Sequence, residues 1–343
     1  MKIAIIGACG MVGKMMVELL TGCYKVRDAE LFLFEHESRV GEEIESNGQK
    51  FTLLELTKES LTRLNPDFAL FAAGGEVSKE FAPIVAKNGG IAIDNSSYFR
   101  MDPNIPLCVP EVNPEALLDD DDELMKSGII ANPNCSTIQA VVALKPLDDE
   151  FYLKRVIYST YQAVSGAGSA GVRDLENGAF DAQNHEHFVH PIYNNLIPHI
   201  DMFMDDGYTK EELKMMEETK RILDSPGLKV TATAVRVPVK NCHSVSIVAQ
   251  FKKSVTEDEA REALVKAQKD DKGLKVLDFP RENKYPMPIL ADGNDNVYVG
   301  RIREANCFRN GISMFVVSDN IRKGAATNAV QIMHYIIGNR AKI

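Results

Sequence analysis

The chain has 343 residues, of which 45% are hydrophobic and 26% charged, and its formal net charge is −10. Its length exceeds what one core readily fills, so two domains, or one domain with a large excursion, are expected, and the composition is that of a globular protein rather than a disordered one. The acidic balance argues against non-specific nucleic-acid binding, and no apolar run approaches the roughly 20 residues that cross a bilayer.

Six cysteines, at 9, 23, 108, 135, 242 and 307, show no paired metal-type spacing, and Met1 leads directly into a strand rather than a signal peptide. The expectation is a cytoplasmic protein with free thiols. Residues Lys2–Ile6 form a short apolar strand, followed at once by Gly7-Ala8-Cys9-Gly10-Met11-Val12-Gly13, with glycines at 7, 10 and 13, and then by Met15, Met16, Val17, Leu19 and Leu20. Strand, glycine turn and amphipathic helix resemble a dinucleotide-binding turn, where missing side chains let backbone amides approach a pyrophosphate. A tight turn without a ligand is the plainer alternative.

The next strand, 31–34, ends at Glu35, about 20 residues past the glycines, where this type of fold places an acid on a ribose 2′-hydroxyl. His36, Ser38 and Arg39 could instead hold a 2′-phosphate, so local chemistry leaves NAD and NADP both open. A strand at 68–73 stops at Gly74-Gly75, a helix follows at 77–87, and a strand at Ile91–Asp94 leads into Asn95-Ser96-Ser97. This alternation predicts an α/β architecture with a parallel, doubly wound sheet. Arg100, just past that strand, falls at the carboxyl edge where anions bind, although a surface ion pair would also explain it. The acidic run 119–123 reads as a solvated loop or helix start.

Gly128–Ala131 reads as the end of a buried strand, broken by Asn132-Pro133-Asn134. Ser136 and Thr137 can cap a helix that carries Ile138, Ala140, Val141, Val142 and Leu144 and stops near Pro146. Cys135 thus stands at a helix start, where unpaired N–H groups favour thiolate; in isolation it would read as a small buried hydrophobe. Beyond it, strands are expected at 156–164, 230–239, His243–Phe251, 276–279, 297–302 and 312–317. Helices are expected at 170–182, 210–223, Glu257–Lys269 and 322–337, with a flexible turn at 165–171. Together these predict a mixed sheet covered by helices. Glu211 and Lys214 share a helix face, and Arg236 and His243 flank a loop between strands; structural roles would suffice for each alone. His185, His187 and His190 have metal-like spacing but no obvious carboxylate or cysteine partner, so no metal is expected.

A dinucleotide turn, a cysteine at a helix start and a histidine at a strand end suggest thiolate attack on an acyl carbon with hydride exchange. Five segments carry a closer resemblance. They are Asn132-Pro133-Asn134-Cys135-Ser136-Thr137, the run from Thr160 through Gln162 to Gly168, Ile197-Pro198-His199-Ile200-Asp201, Arg236-Val237-Pro238-Val239 with His243-Ser244, and Val317 through Asp319-Asn320 to Ala326. Across nearly the whole chain they resemble aspartate-semialdehyde dehydrogenases of the bacterial type.

The resemblance implies a Rossmann-like NADP-binding domain, 1–131 with 322–343, and an α+β catalytic and dimerisation domain, 132–321. It implies Cys135 as nucleophile, His243 as acid/base and Gln162 as the residue orienting the acyl intermediate. Arg236 would grip the substrate α-carboxylate, Glu211 its amino group, Arg100 and Lys214 the phosphate, and Asn134 the acyl phosphate. The cofactor would lie against Gly7, Gly10, Met11, Val12, Gly13, Glu35, Ser38, Arg39, Gly74, Ser96, Ser165, Gly166 and Gln331. The implied reaction reduces β-aspartyl phosphate with NADPH to aspartate semialdehyde and phosphate, reversibly, on the route to lysine (through diaminopimelate), threonine and methionine. A homodimer or homotetramer is implied as well.

The chain departs from the family at Phe34-Glu35-His36-Glu37-Ser38-Arg39, where two acids disfavour a 2′-phosphate while Ser38 and Arg39 offer it a partial site; the resemblance keeps NADP as the expected cofactor, with NAD open. Cys242 reads as a packing residue. An N-acetyl-γ-glutamyl-phosphate reductase would share the thioester logic, but Glu211, Lys214 and Arg236 suit a free amino-acid head group better. A non-catalytic dinucleotide-binding regulator would not need nucleophile, base and anion-binding residues together.

Overall fold

The computed structural model describes residues 1–118, 123, 125, 128–181, 184–271 and 273–340. Residues 119–122 of the acidic run lie outside the described residues, as do residue 182 of the expected helix 170–182 and the last three of the expected 322–343 segment. The chain divides into two compact units, Met1–Pro133 with Ala325–Ile343, and Asn134–Gly324. No helix among the described residues is long and apolar enough to cross a membrane.

The first unit is built on β1 (Lys2–Ile6), whose Ile3, Ala4, Ile5 and Ile6 are all buried, as a central parallel strand covered on both faces requires. After α1 (Met11–Thr21) the chain adds β2 (Glu30–Glu35), then β3 (Glu43–Ser46) and β4 (Gln49–Glu55). It continues through α2 (Lys58–Leu64), β5 (Phe68–Phe71), α3 (Gly75–Lys87), β6 (Ile91–Asp94) and β7 (Gly128–Ala131). The sheet order is β3-β4-β2-β1-β5-β6-β7, parallel throughout except for the β3–β4 hairpin. The hairpin and α2 were not anticipated, although Asn47-Gly48, both at positive φ, is the two-residue turn that a hairpin of this kind favours. Because the chain grows from β1 to one side and then from β5 to the other, the carboxyl ends of β1 and β5 flank a topological switch point. The last helix, Thr327–Arg340, returns to this unit and buries Ala329, Val330, Met333 and Ile336 in the same core as α1.

The second unit opens with α4 (Cys135–Phe151), which runs through Pro146 instead of stopping there. A helix-interior proline costs about 3 kcal/mol. The apolar face continues past it with Leu147 and Phe151, both buried, and roughly 1.5–3 kcal/mol for each such side chain offsets that cost. The remaining elements are β8 (Leu153–Gln162), α5 (Gly168–Gly178), α6 (Lys210–Ile222), β9 (Lys229–Arg236), β10 (His243–Phe251) and α7 (Glu257–Lys269). After them come β11 (Leu274–Val276), α8 (Pro288–Ala291), β12 (Val297–Glu304) and β13 (Gly311–Ser318).

These strands form a mixed sheet in the order β11-β12-β13-β10-β8-β9. Along β8 and β9 buried residues alternate with half-buried or exposed ones, so one face is closed by helices and the other stays open. Three expectations shift. The strand expected at 276–279 lies instead at Leu274–Val276, the expected flexible turn 165–171 is a 3-10 turn running into α5, and the expected helix 322–337 begins as a π turn, Arg322–Ala326.

Candidate active site

In the second unit the site begins at the N-terminus of α4. Asn134 caps it: its Oδ1 accepts the N–H groups of Ser136 at 2.9 Å and Thr137 at 3.2 Å, so the cap is neither Ser136 nor Thr137. Cys135 therefore occupies the first helical position, where backbone N–H groups have no intrahelical acceptor. Asn134 is itself held from α6. Its backbone N–H donates to Glu218 Oε2 at 2.6 Å and its Nδ2 to Glu211 Oε1 at 2.9 Å. Glu211 and Glu218 are seven apart, two helical turns, which brings both carboxylates to one face.

Glu211 also accepts Gln162 Nε2 at 3.2 Å, and its second oxygen pairs with Lys214 Nζ at 3.3 Å. Lys214 is shared with Asp201, 2.6 Å away. Burial raises the Asp201 carboxyl, but hydrogen bonds from Lys214 and the Met202 amide outweigh it and the net shift is downward.

One peptide organises the other wall. The Ala163 N–H donates to His243 Nδ1 at 3.0 Å, while the Ala163 carbonyl accepts Arg236 Nη1 at 2.8 Å. Since Nδ1 accepts, the neutral ring carries its proton on Nε2, which is buried without a hydrogen-bond partner among the described residues. Burial first, then the Arg236 charge, holds the imidazole well below its ordinary pKa. Burial also lowers the Arg236 guanidinium, opposed by Glu211 and Cys135; its Nε has no partner among the described residues, and its Cζ lies 5.8 Å from the centre of the Phe188 ring. Gly166 closes over this pair. A Cβ there would come within 2.9 Å of Arg236 Nη1 and 3.1 Å of His243 Nε2. The unit thus gathers Cys135, Asn134, Gln162, Glu211, Lys214, Arg236 and His243 with Gly166.

Ser165, expected beside the cofactor, is buried and accepts Asn320 Nδ2 at 3.0 Å, while Asn320 Oδ1 takes the Cys242 N–H at 2.9 Å. Cys242 packs with Ala291 and Val317, and its thiol is pushed up by burial and by Asp319 and Asp292. His185 Nδ1 bonds the Phe188 carbonyl oxygen at 2.8 Å, a contact local to its own turn.

In the first unit a cleft of about 540 Å³ lies at the switch point, lined by Gly7, Gly10, Glu35, His36, Glu37, Glu55, Ala72 and Val77 among others. The glycines are needed there. Gly7 has φ +84°, and a Cβ on Gly13 would lie 2.1 Å from the Gly7 carbonyl oxygen, so α1 starts this close to β1 only without a side chain. Gly10 precedes α1, whose first residues are Met11 and Val12, and no side chain caps that helix. The N–H groups of Gly7, Ala8, Cys9 and Gly10 already have acceptors within the protein, so it is the uncapped first turn of α1 that fits a pyrophosphate.

Glu35 Oε1 accepts the Cys9 N–H at 2.8 Å; Ser38 N–H donates to His36 Nδ1, and Arg39 pairs with Glu42. Gly74, at φ +89°, starts α3 with open space where a Cβ would be, while the Ser96 hydroxyl donates to Asp94. Gln331 is half-buried on the last helix. Arg100 is buried, donating to the carbonyls of Asn132 at 2.9 Å and Asn95 at 2.7 Å. Of the two cations expected at the phosphate, Arg100 belongs to the first unit and Lys214 to the second.

The family model for the semialdehyde dehydrogenase NAD binding domain matches residues 2–119, and that for the semialdehyde dehydrogenase dimerisation domain matches 144–323. An aspartate-semialdehyde dehydrogenase of Aquifex aeolicus is 49% identical, with 98% of each chain covered. The chain belongs to the aspartate-semialdehyde dehydrogenase family. Among solved members, aspartate semialdehyde dehydrogenase II from Vibrio cholerae, complexed with ASA, superposes with a TM-score of 0.90 at 40% identity over 98% of each chain. The Candida albicans enzyme with NADP gives 0.77 at 25% identity, covering 100% of this chain and 99% of that one. As a member of this oxidoreductase family the chain has an N-terminal NAD(P)-binding unit, and its second unit carries the dimerisation domain.

Three residues at the site escaped sequence reasoning. Glu218 continues the face of Glu211 and Lys214 along α6, a spacing that could have pointed to it. Asn320 and the Ala163 peptide act through a side-chain amide and the backbone, which leave no pattern of their own.

Proposed function

We propose that the chain reduces β-aspartyl phosphate to aspartate semialdehyde, and catalyses the reverse, through a thioester on Cys135. In the reductive direction the Cys135 thiolate attacks the acyl carbon and phosphate leaves; a nicotinamide dinucleotide, when bound, would supply the hydride that converts the Cys135 thioester to a thiohemiacetal alkoxide, and collapse of that alkoxide releases the aldehyde and the thiolate. The helix start favours the thiolate. His243 presents Nε2–H as a hydrogen-bond donor to the oxyanion that develops on the acyl carbon, because the Ala163 amide occupies Nδ1 and keeps the ring neutral. Arg236 offers its Nε and its remaining guanidinium edge to the α-carboxylate, and Glu211 offers a carboxylate to the α-ammonium. Gln162 and Asn134, both tied to Glu211, orient the acyl group. Arg100 and Lys214 serve the phosphate.

Support comes above all from one observation: Glu211 joins Asn134, Gln162 and Lys214 while the Ala163 peptide joins Arg236 and His243, so an acid for an ammonium and a fork for a carboxylate surround the cysteine helix. The reading places the protein in the cytoplasm as a homodimer. The subunits would join through the open face of the second sheet, where Ile157, Tyr161, Val235, Val248 and Phe315 remain half-buried or exposed. The Vibrio relative with ASA supports the substrate class, and the Candida relative with NADP supports a nicotinamide dinucleotide. The choice between NADP and NAD falls to the edge of β2.

The test is phosphate-dependent reduction of NADP and of NAD with aspartate semialdehyde, wild type beside Cys135→Ser. Reduction only with phosphate, abolished in the variant, is expected. Turnover of N-acetyl-γ-glutamyl phosphate instead would transfer the site to the acetylated analogue.

A further inference from the structure

The carboxyl end of β2 reaches the glycine turn directly: the Gly7 N–H donates to the Phe34 carbonyl at 3.0 Å, and Glu35 follows. Glu35 is not a loose surface acid. Oε1 accepts the Cys9 N–H of the turn at 2.8 Å and Oε2 accepts the His36 N–H at 3.2 Å, so the carboxylate is fixed beside the amides that would receive a pyrophosphate. Among the described residues lining this cleft three are acids, Glu35, Glu37 and Glu55, and none is lysine or arginine.

The cation nearest in sequence, Arg39, is engaged. Its Nε and Nη2 both donate to Glu42 Oε2, at 3.1 and 2.6 Å. Ser38 presents its backbone N–H to His36 Nδ1, and the two side chains lie in hydrogen-bond contact at 3.2 Å. Negative charge reaches the turn itself: burial, followed by the Glu35 carboxylate, pushes the Cys9 thiol up.

A 2′-phosphate carries about −1.5 to −2 charges. Bound at this edge it would face fixed carboxylates and would have to draw Arg39 away from Glu42. A 2′-hydroxyl meets the opposite situation, since it can donate to a carboxylate already held in place. We propose that Glu35 is the cofactor-selecting residue of this chain and that it selects the dinucleotide with a free 2′-hydroxyl, NAD, over NADP. The inference rests on the dinucleotide reading of the first unit and deepens it, setting this chain apart from the Candida relative that carries NADP.

Calorimetric titration tests it without any turnover. The ligands are NAD, NADP, ADP-ribose and 2′-phospho-ADP-ribose, titrated into the full-length protein and into Glu35→Gln, Glu35→Ser and Glu42→Ala. In the wild type the ligands lacking the phosphate should bind about 10-fold or more tightly than their phosphorylated counterparts.

Glu35→Gln keeps an acceptor for the Cys9 amide and removes the charge, so it should narrow the gap chiefly by strengthening the phosphorylated ligands. Glu35→Ser should narrow it further, and Glu42→Ala, by releasing Arg39, should strengthen only the phosphorylated ligands. NADP binding as tightly as NAD in the wild type overturns the inference, as does an unchanged gap in a folded Glu35→Gln. If none of the four ligands binds the folded protein, the dinucleotide reading of this unit falls with it, which a mere preference for NADP would not cause.

Discussion

Two places in the molecule, one in each unit, handle charge in opposite ways. At the corner of α4 and α6 the charged groups are buried and held in place: Glu211 and Arg236 are each 5% exposed, and Glu218 and His243 are fully buried. At the edge of β2, the Arg39 and Glu42 side chains keep 43% and 49% of their exposure. Buried groups lose water and must be satisfied by protein, so each removal leaves a partner stranded; exposed pairs exchange readily with solvent. On the proposed reading the chemistry falls to the buried corner and the choice of cofactor to the more exposed edge of β2.

The contrast predicts a ranking of effects. Gly166→Ala should do the most, because its Cβ would displace Arg236 and His243 together. We expect kcat/KM to fall by about 100-fold, the scale of a small misplacement of reacting groups, with the melting temperature little changed. Steady-state kinetics beside a thermal melt checks this. Loss of stability without loss of activity would put Gly166 outside the site.

Glu218→Ala comes next. It leaves the buried Asn134 N–H without its acceptor and should cost about 1–3 kcal/mol in urea unfolding. Glu218→Gln retains an acceptor and should recover most of that loss, along with the rate of Cys135 alkylation by iodoacetamide. Equal behaviour of the two variants would show that the contact does not matter.

The third effect is a pH dependence of stability. The His243 imidazole is held below its ordinary value of about 6.5, so below that pH the unfolded chain binds a proton that the folded chain refuses. Stability is therefore full above about pH 6.5 and falls as the pH drops toward the folded-state value, by up to about 1.4 kcal/mol per pH unit. A His243→Asn variant should lose this slope in denaturant titrations between pH 7 and 5. Smallest of all should be Arg39→Ala, which breaks only an exposed pair. No measurable change in melting temperature or in KM for aspartate semialdehyde is expected, and a large change in either would mean that the β2 edge is not a solvated surface.

The same contrast explains what could be read from the chain. Regular features with local causes were legible: β1 and its glycine turn, the break at Asn132-Pro133-Asn134 before Cys135, and α7 at Glu257–Lys269, which begins with a Thr256 capping box. Features decided by packing were not. Nothing local to Pro146 says that Leu147 and Phe151 will find a core beyond it, and nothing near Arg322 announces a π turn. At the site, Cys135, Arg236 and His243 were visible as reactive or charged side chains. The backbone of Ala163, which determines which nitrogen of His243 bears the proton, could not be seen before the chain was folded.

The most direct test of the central claim is to trap the thioester. Full-length protein mixed with aspartate semialdehyde and the oxidised dinucleotide, without phosphate, is quenched in acid and its peptides are mapped by mass spectrometry. The account predicts an aspartyl adduct on the peptide carrying Cys135, discharged when phosphate is added before quenching and missing in Cys135→Ser. An adduct on Cys242 alone, or cofactor reduction that persists in Cys135→Ser, would contradict it.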